Sequence, residues 1–233
     1  MALLDDALAA SGGVDRWQEL TGFTAHVSID GSLIARGGGL RDMVAEGSTR
    51  TQCVRVGGFI GSDQWATYAP DRATLERLDG SVLASRRRPG EHFPGEGSHQ
   101  AWDDLDLVYF CGLSLWTCMT MPFVLLHPGV EVEELPVWLE RGQVWRRLRA
   151  VFPSDVVTCA REQILCFDDT GLLRRVEYRI AAGASVVQHA WAHQAFAGIT
   201  LPTLWRSLAC QADGTVIAQP ALVDVEIFDA RFE

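Results

Sequence analysis

The 233-residue chain contains no lysine and no asparagine, so all 20 of its basic residues are arginine. Without lysine there is no Walker-type phosphate loop and no Schiff-base or pyridoxal chemistry. Without asparagine there is no acceptor for N-linked glycans. The GxGxxG, GxSxG, HExxH and EF-hand patterns are missing too, which leaves nucleotide cofactors, α/β-hydrolase chemistry and structural metals without a motif. Six cysteines are present but form no CxxC pair, and most sit in apolar stretches as small hydrophobes. The expectation is a protein with no cofactor and no metal. Positive charge is scarce: 30 acidic residues against 20 basic give −10 at pH 7 and a pI near 5.0. That is the wrong sign for tracking phosphate backbones or anionic lipid, so neither nucleic acid nor membrane is expected as a partner. The opening MALLDDALAASGG has an acidic pair where a secretory signal needs basic residues, which reads as cytoplasmic.

Hydrophobicity is abundant, at 48% of residues and a mean hydropathy of +0.06. Part of it lies in Leu107 to Leu126, twenty residues without a charge, long enough to span a bilayer. Its flanks argue against a span. Asp103, Asp104 and Asp106 precede it, Glu131, Glu133 and Glu134 follow, and Pro122 interrupts it. A helix apolar on all sides but outside lipid must be enclosed by protein. We therefore place a central helix at 102–122.

The remainder reads as the enclosure. After a helical start over 1–21 (Ala2 to Ala10, Val14 to Leu20), strand-length pieces alternate with turn signals such as Asp30-Gly31, Asp79-Gly80, Arg141-Gly142, Asp168-Asp169-Thr170-Gly171 and Asp213-Gly214. Strands are expected at Gly22–Asp30, Ser32–Arg36, Leu40–Glu46, Gln52–Val56, Gln64–Tyr68, Thr74–Leu78 and Ser81–Arg87. After the helix they are expected at Val130–Glu134, Gln143–Phe152, Thr158–Asp168, Leu172–Ala181, Val186–Phe196, Ile199–Gln211 and Leu222–Phe228. Short turns between successive strands imply an antiparallel meander. With no repeat or linker, the chain reads as one domain over 1–233.

The segments WDDLDLVYFCGLSLWTCMTMPF (102–123), VWRRLRAVFP, REQILCFDDTGLLRRVEY and GITLPT (198–203) resemble a bacterial family. That family is itself similar to the curved antiparallel half-barrels of the lipoprotein carriers and of VioE-like enzymes. The resemblance covers most of 102–232 and implies a mainly β (α+β) fold. Its sheet would be a curved antiparallel half-barrel wrapped around the central apolar helix, with an apolar cavity for a hydrophobic or aromatic small molecule. It also implies a thinned polar set, because Cys159, Cys166, Val176 and Ala192 stand where the family pattern is polar.

Period-two alternation nominates the chemistry. Arg146, Glu162 and Arg174 fall on consecutive strands and are expected to meet on one apolar face, either as an anion clamp or as a structural ion cluster. On SVVQHAWAHQAF, His189, Trp191 and His193 share a face. Positions four apart on a strand lie roughly 13 Å apart, too far for one metal. His193, which matches the family pattern, is the preferred general base, with Trp191 as an aromatic wall. Tyr109 and Trp116, seven apart on the helix, project to one side as core or cavity lining. The candidate catalytic residues are thus His193, Arg174 and Glu162. The candidate ligand contacts are Tyr109, Trp116, Arg146, Tyr178, His189 and Trp191. Two functions stay open: a cofactor-independent cyclase, isomerase or lyase of specialised metabolism, which is favoured, or a non-catalytic carrier of an apolar molecule.

Overall fold

In a computed structural model, which describes residues 2–34, 39–95, 101–140, 142–180, 183–211 and 215–233, the strands form one antiparallel sheet of thirteen. Helices α1 (Ala2–Ala10) and α2 (Val14–Glu19) open the chain. They lead into β1 (Gly22–Asp30), β2 (Leu40–Ser48), β3 (Val54–Gly57), β4 (Gln64–Ala69), β5 (Arg72–Arg77) and β6 (Val82–Arg87). Next come α3 (Pro89–His92), α4 (Asp104–Thr120) and a 3-10 turn (Phe123–Leu126). The chain ends in β7 (Glu131–Glu140), β8 (Gln143–Val151), β9 (Glu162–Phe167), β10 (Leu173–Arg179), β11 (Ser185–Phe196), β12 (Ile199–Cys210) and β13 (Val223–Phe232).

Sheet neighbours are sequence neighbours everywhere except at the centre, where β1 pairs with β13 from Phe23 opposite Phe232 to Asp30 opposite Asp224. The chain therefore winds outward from the centre through β1 to β6, and inward from the opposite edge through β7 to β13. β6 and β7 are the two edges, so the curved sheet does not close. The crossing between them is α4, which lies against β3 to β6 and β12. Of its 17 residues only Asp104 and Thr117 are not buried, which meets the expectation of an enclosed helix.

Local chemistry fixes that helix. Asp103 Oδ1 accepts the Asp106 amide at 2.9 Å and Asp106 Oδ2 accepts the Asp103 amide at 3.0 Å, a reciprocal capping box. Arg86 of β6 clamps both carboxylates, at 2.5 Å to Asp103 and 2.8 Å to Asp106. Gly112 lets the helix settle on β4, since a Cβ there would lie 2.6 Å from Tyr68 Cγ and closer still to its Cβ. Trp116 Nε1 donates to the Ser48 carbonyl at 2.9 Å. Across the interior, the Gln52 side chain donates to the Val157 carbonyl at 2.7 Å and accepts from its amide at 2.8 Å, tying the turn before β3 to the loop before β9. At one end α1 and α2 close the core, with Trp17 stacked on Phe123 at 4.4 Å. No helix among the described residues is long and apolar enough to cross a membrane.

Several boundaries differ from the expectation. Ser32 to Ile34 form a turn, not a strand, because Ile34 folds back to donate to the Gly31 carbonyl and buries its side chain. Ala35 and Arg36 of that expected strand lie outside the described residues, as do Arg141, Ala181, Asp213 and Gly214. The helix stops at Thr120, ahead of Pro122. β7 runs on to Glu140 through Pro136, which an edge strand tolerates because the missing amide faces no neighbour.

Candidate functional site

Register pairing separates the two faces of the β8 to β12 half. Val176 pairs with Leu165, which pairs with Leu148, and all three belong to the core. Arg175 pairs with Cys166 and His189, and Glu177 with Ile164 and Val187, on the opposite, convex face. A register shift between Leu173 and Arg175 adds one residue to β10, so Leu173 points to the core while Arg175 points away from it.

The convex face carries a groove of about 760 Å³ that runs over the strand ends of β9, β10, β11 and β12. Ile164 and Val187 supply apolar wall from this face, Val186 and Tyr178, whose side chains turn to the core, border it, and Cys159 and Cys210 add sulfur. Arg175 is its most deeply set charge, 8% exposed, ion-paired with the Glu177 carboxylate at 2.7 Å and stacked on the Trp138 ring at 4.7 Å. Burial raises the Cys210 thiol pKa, the Arg175 guanidinium pulls it down, and the net is upward. The volume falls in the range of small-molecule sites, about 300–1,000 Å³.

The expected trio of Arg146, Glu162 and Arg174 does not assemble. Arg146 does face inward, but it pairs with Asp6 of α1 at 2.6 Å and Glu134 at 3.4 Å. Glu162 stands opposite Val151, five residues from Arg146 along β8, roughly 17 Å at strand rise. It lies on the convex side at the groove's rim and pairs with Arg149 at 2.7 Å, and that partner holds its carboxyl below the usual range. The error has a simple cause. On β9 the set Glu162, Ile164, Cys166 and the set Gln163, Leu165, Phe167 are both largely apolar, so alternation alone does not choose between them.

Arg174 and His193 do meet. Arg174 Nε donates to Asp168 Oδ2 at 2.6 Å, and its NH1 lies 3.4 Å from His193 Nδ1. A guanidinium only donates, so in this contact Nδ1 is the acceptor, and Nε2 is buried without a hydrogen-bond partner. Burial first, then Arg174, pushes the His193 pKa below 6.5, against the opposing Leu173 carbonyl and Asp168 carboxylate. Arg174 and Asp168 line a separate groove of about 700 Å³ with Trp145 and Thr170.

The other nominated contacts scatter. Tyr109 and Trp116 are core residues against the sheet. Tyr109 packs on Tyr68 and Phe93 with ring centroids 5.8 and 5.1 Å apart, and burial raises its pKa to about 12. None of the grooves described here is walled by the apolar residues of α4. Trp191 borders a third groove of about 250 Å³, with the Arg206 guanidinium 6.0 Å from its ring. His189 lies on the convex face between Arg175 and Arg206 in register. Tyr178 alone lines the 760 Å³ groove as a nominated ligand contact. Sequence reasoning passed over Arg175, Glu177 and Trp138. Their signal, an Arg-x-Glu pair on one strand face, was present, but the added residue in β10 disguised which face it was.

The curved, unclosed antiparallel sheet is a fold seen in lipoprotein-carrier-like proteins of known structure. No family model and no curated protein matches the chain. Among solved structures it is similar to a LolA superfamily protein from Nitrosomonas europaea, at 11% identity and a TM-score of 0.57 over 100% of this chain and 92% of that one. It is also similar to a putative outer membrane lipoprotein-sorting protein domain from Vibrio parahaemolyticus, at 11% identity and 0.56 over 100% and 91%. At these identities the likeness is one of fold.

Proposed function

We propose that the protein is a non-catalytic carrier that binds a hydrophobic small molecule in the groove across β9 to β12. The observation that carries this reading is the groove itself, which is walled by Ile164 and Val187 and has a volume suited to a small ligand. Its fold is shared with a protein described as a lipoprotein-sorting domain, which supports carriage over chemistry. The clamp expected of Arg146, Glu162 and Arg174 does not assemble, since Glu162 pairs with Arg149, and this favours carriage over catalysis.

The test is titration with the neutral fluorophore N-phenyl-1-naphthylamine, alongside native mass spectrometry of protein purified without detergent. Ser185→Trp fills the groove from its rim, and Val187→Asp places a charge on its apolar wall. Each is expected to weaken probe binding at least about tenfold, the cost of losing one well-packed apolar contact. Binding that survives both substitutions in folded protein refutes the site. Conversion of a co-purified molecule by the protein would restore the enzyme reading.

A further inference from the structure

We infer that the ligand of this groove is an amphiphile with a single carboxylate head, which rests on the groove being the binding site and adds its head-group specificity. The argument is one of charge left over. Five charged side chains line the groove: Arg161, Glu162, Arg175, Glu177 and Arg179. Glu162 pairs with Arg149 at 2.7 Å, a guanidinium it shares with Glu133 at 3.5 Å, and Glu177 pairs with Arg175 at 2.7 Å. Arg161 spends its Nε on the Phe152 carbonyl at 3.2 Å, and neither it nor Arg179 has a carboxylate partner among the described residues. The groove therefore presents two uncompensated guanidiniums on a chain whose net charge is −10.

Their placement matters as much as their sign. Arg179 is the last residue of β10, pairs in register with Ser185 at the start of β11, and is exposed at the rim. Arg161 sits one residue before β9 and is also exposed. Between them the wall is Ile164 and Val187. An apolar tail lying on that wall brings its head to guanidiniums that remain hydrated until the ligand arrives. Such a head needs no desolvated cation waiting for it, and a planar carboxylate matches the two-pronged donor of an arginine. The Arg175–Glu177 pair, its guanidinium buried and stacked on Trp138, serves as a neutral floor, since breaking a paired, desolvated guanidinium is costly.

The experiment compares three ligands of one chain length by isothermal titration: dodecanoate, dodecanol and dodecyltrimethylammonium. Wild-type protein is expected to bind dodecanoate about tenfold or more tighter than dodecanol, the contribution of one charge-assisted hydrogen bond, and the cation most weakly. In Arg179→Gln the preference for dodecanoate is expected to collapse while dodecanol affinity stays as it was. Arg179→Lys keeps the charge and recovers part of the preference. Arg72→Gln, on β5 near the other edge of the sheet, leaves every affinity unchanged. Equal binding of dodecanoate and dodecanol by the wild type, or a preference untouched by Arg179→Gln, overturns the carboxylate assignment and leaves the carrier reading standing. Failure of all three to bind overturns the carrier reading itself.

Discussion

Gly112→Ala in the middle of α4 pits two effects of opposite sign against each other. In an exposed helix, alanine for glycine stabilises by about 1 kcal/mol, because glycine loses more backbone freedom on folding. Here the new Cβ would lie 2.6 Å from Tyr68 Cγ, where ordinary contact is 3.4–4 Å. Turning the tyrosine ring gives no relief, since Tyr68 Cβ is nearer still and fixed to the β4 backbone. The helix must retreat by about 1 Å, weakening close contacts along the face that touches β3 to β6. Overpacking of this kind costs about 3 kcal/mol. The net is a destabilisation of about 2 kcal/mol, which with a urea slope of about 3 kcal/mol/M lowers the midpoint by about 0.7 M. Equilibrium urea unfolding followed by tryptophan fluorescence reads this directly. A midpoint equal to or above that of the wild type would mean that propensity wins, and that α4 does not sit on Tyr68 as described.

Two further outcomes follow from the polar contacts. Asp106→Ala removes one arm of the capping box and a carboxylate, 4% exposed, bonded to Arg86 at 2.8 Å, so unfolding free energy should fall by about 2–4 kcal/mol by the same urea assay. A loss under about 0.5 kcal/mol, typical of an exposed pair, would contradict that burial. His193 has its pKa lowered in the folded state, so the unfolded chain binds the proton more readily. Stability is then full above 6.5, falls as pH drops through 6.5, and levels off below the folded pKa. His193→Gln should flatten that part of the pH profile, and an NMR titration of His193 giving a midpoint above 6.5 would refute the assignment.

How much of this was legible beforehand depended on whether neighbouring patterns competed. The helical start was read at Ala2 to Ala10 because nothing contends with its apolar spacing before Gly12. The central helix was visible as an uncharged stretch between acidic flanks, and its enclosure followed from solvent exclusion alone. Strand faces were another matter. On β8 the core face of Leu148 and Ala150 is legible, since Arg147 and Arg149 mark the other side. On β9 two equally apolar sets compete, and on β10 one extra residue reverses the phase, so Glu162 was placed on the wrong face and Arg175 was overlooked. The contact between Arg174 and His193 depends on that same irregularity. An inserted residue has no signature in composition or period, because it is set by the geometry of the neighbouring strand. Tyr109 and Trp116 were correctly assigned to one helix, but whether a helix side faces a void or a wall is decided by the strands that pack on it.

The pairing of β1 with β13 at the middle of the sheet has a consequence for how the chain is made. Every other strand pairing joins consecutive strands, so each half can form its contacts as it emerges from the ribosome. The seam alone links Phe23 to Phe232. Until Val223–Phe232 has been synthesised, β1 on one side and β12 on the other hold unsatisfied backbone edges at what will become the centre of the molecule. The ten residues of β13 are therefore the stitch that turns two meanders into one sheet, and a message truncated before them would yield a chain with four exposed edges instead of two.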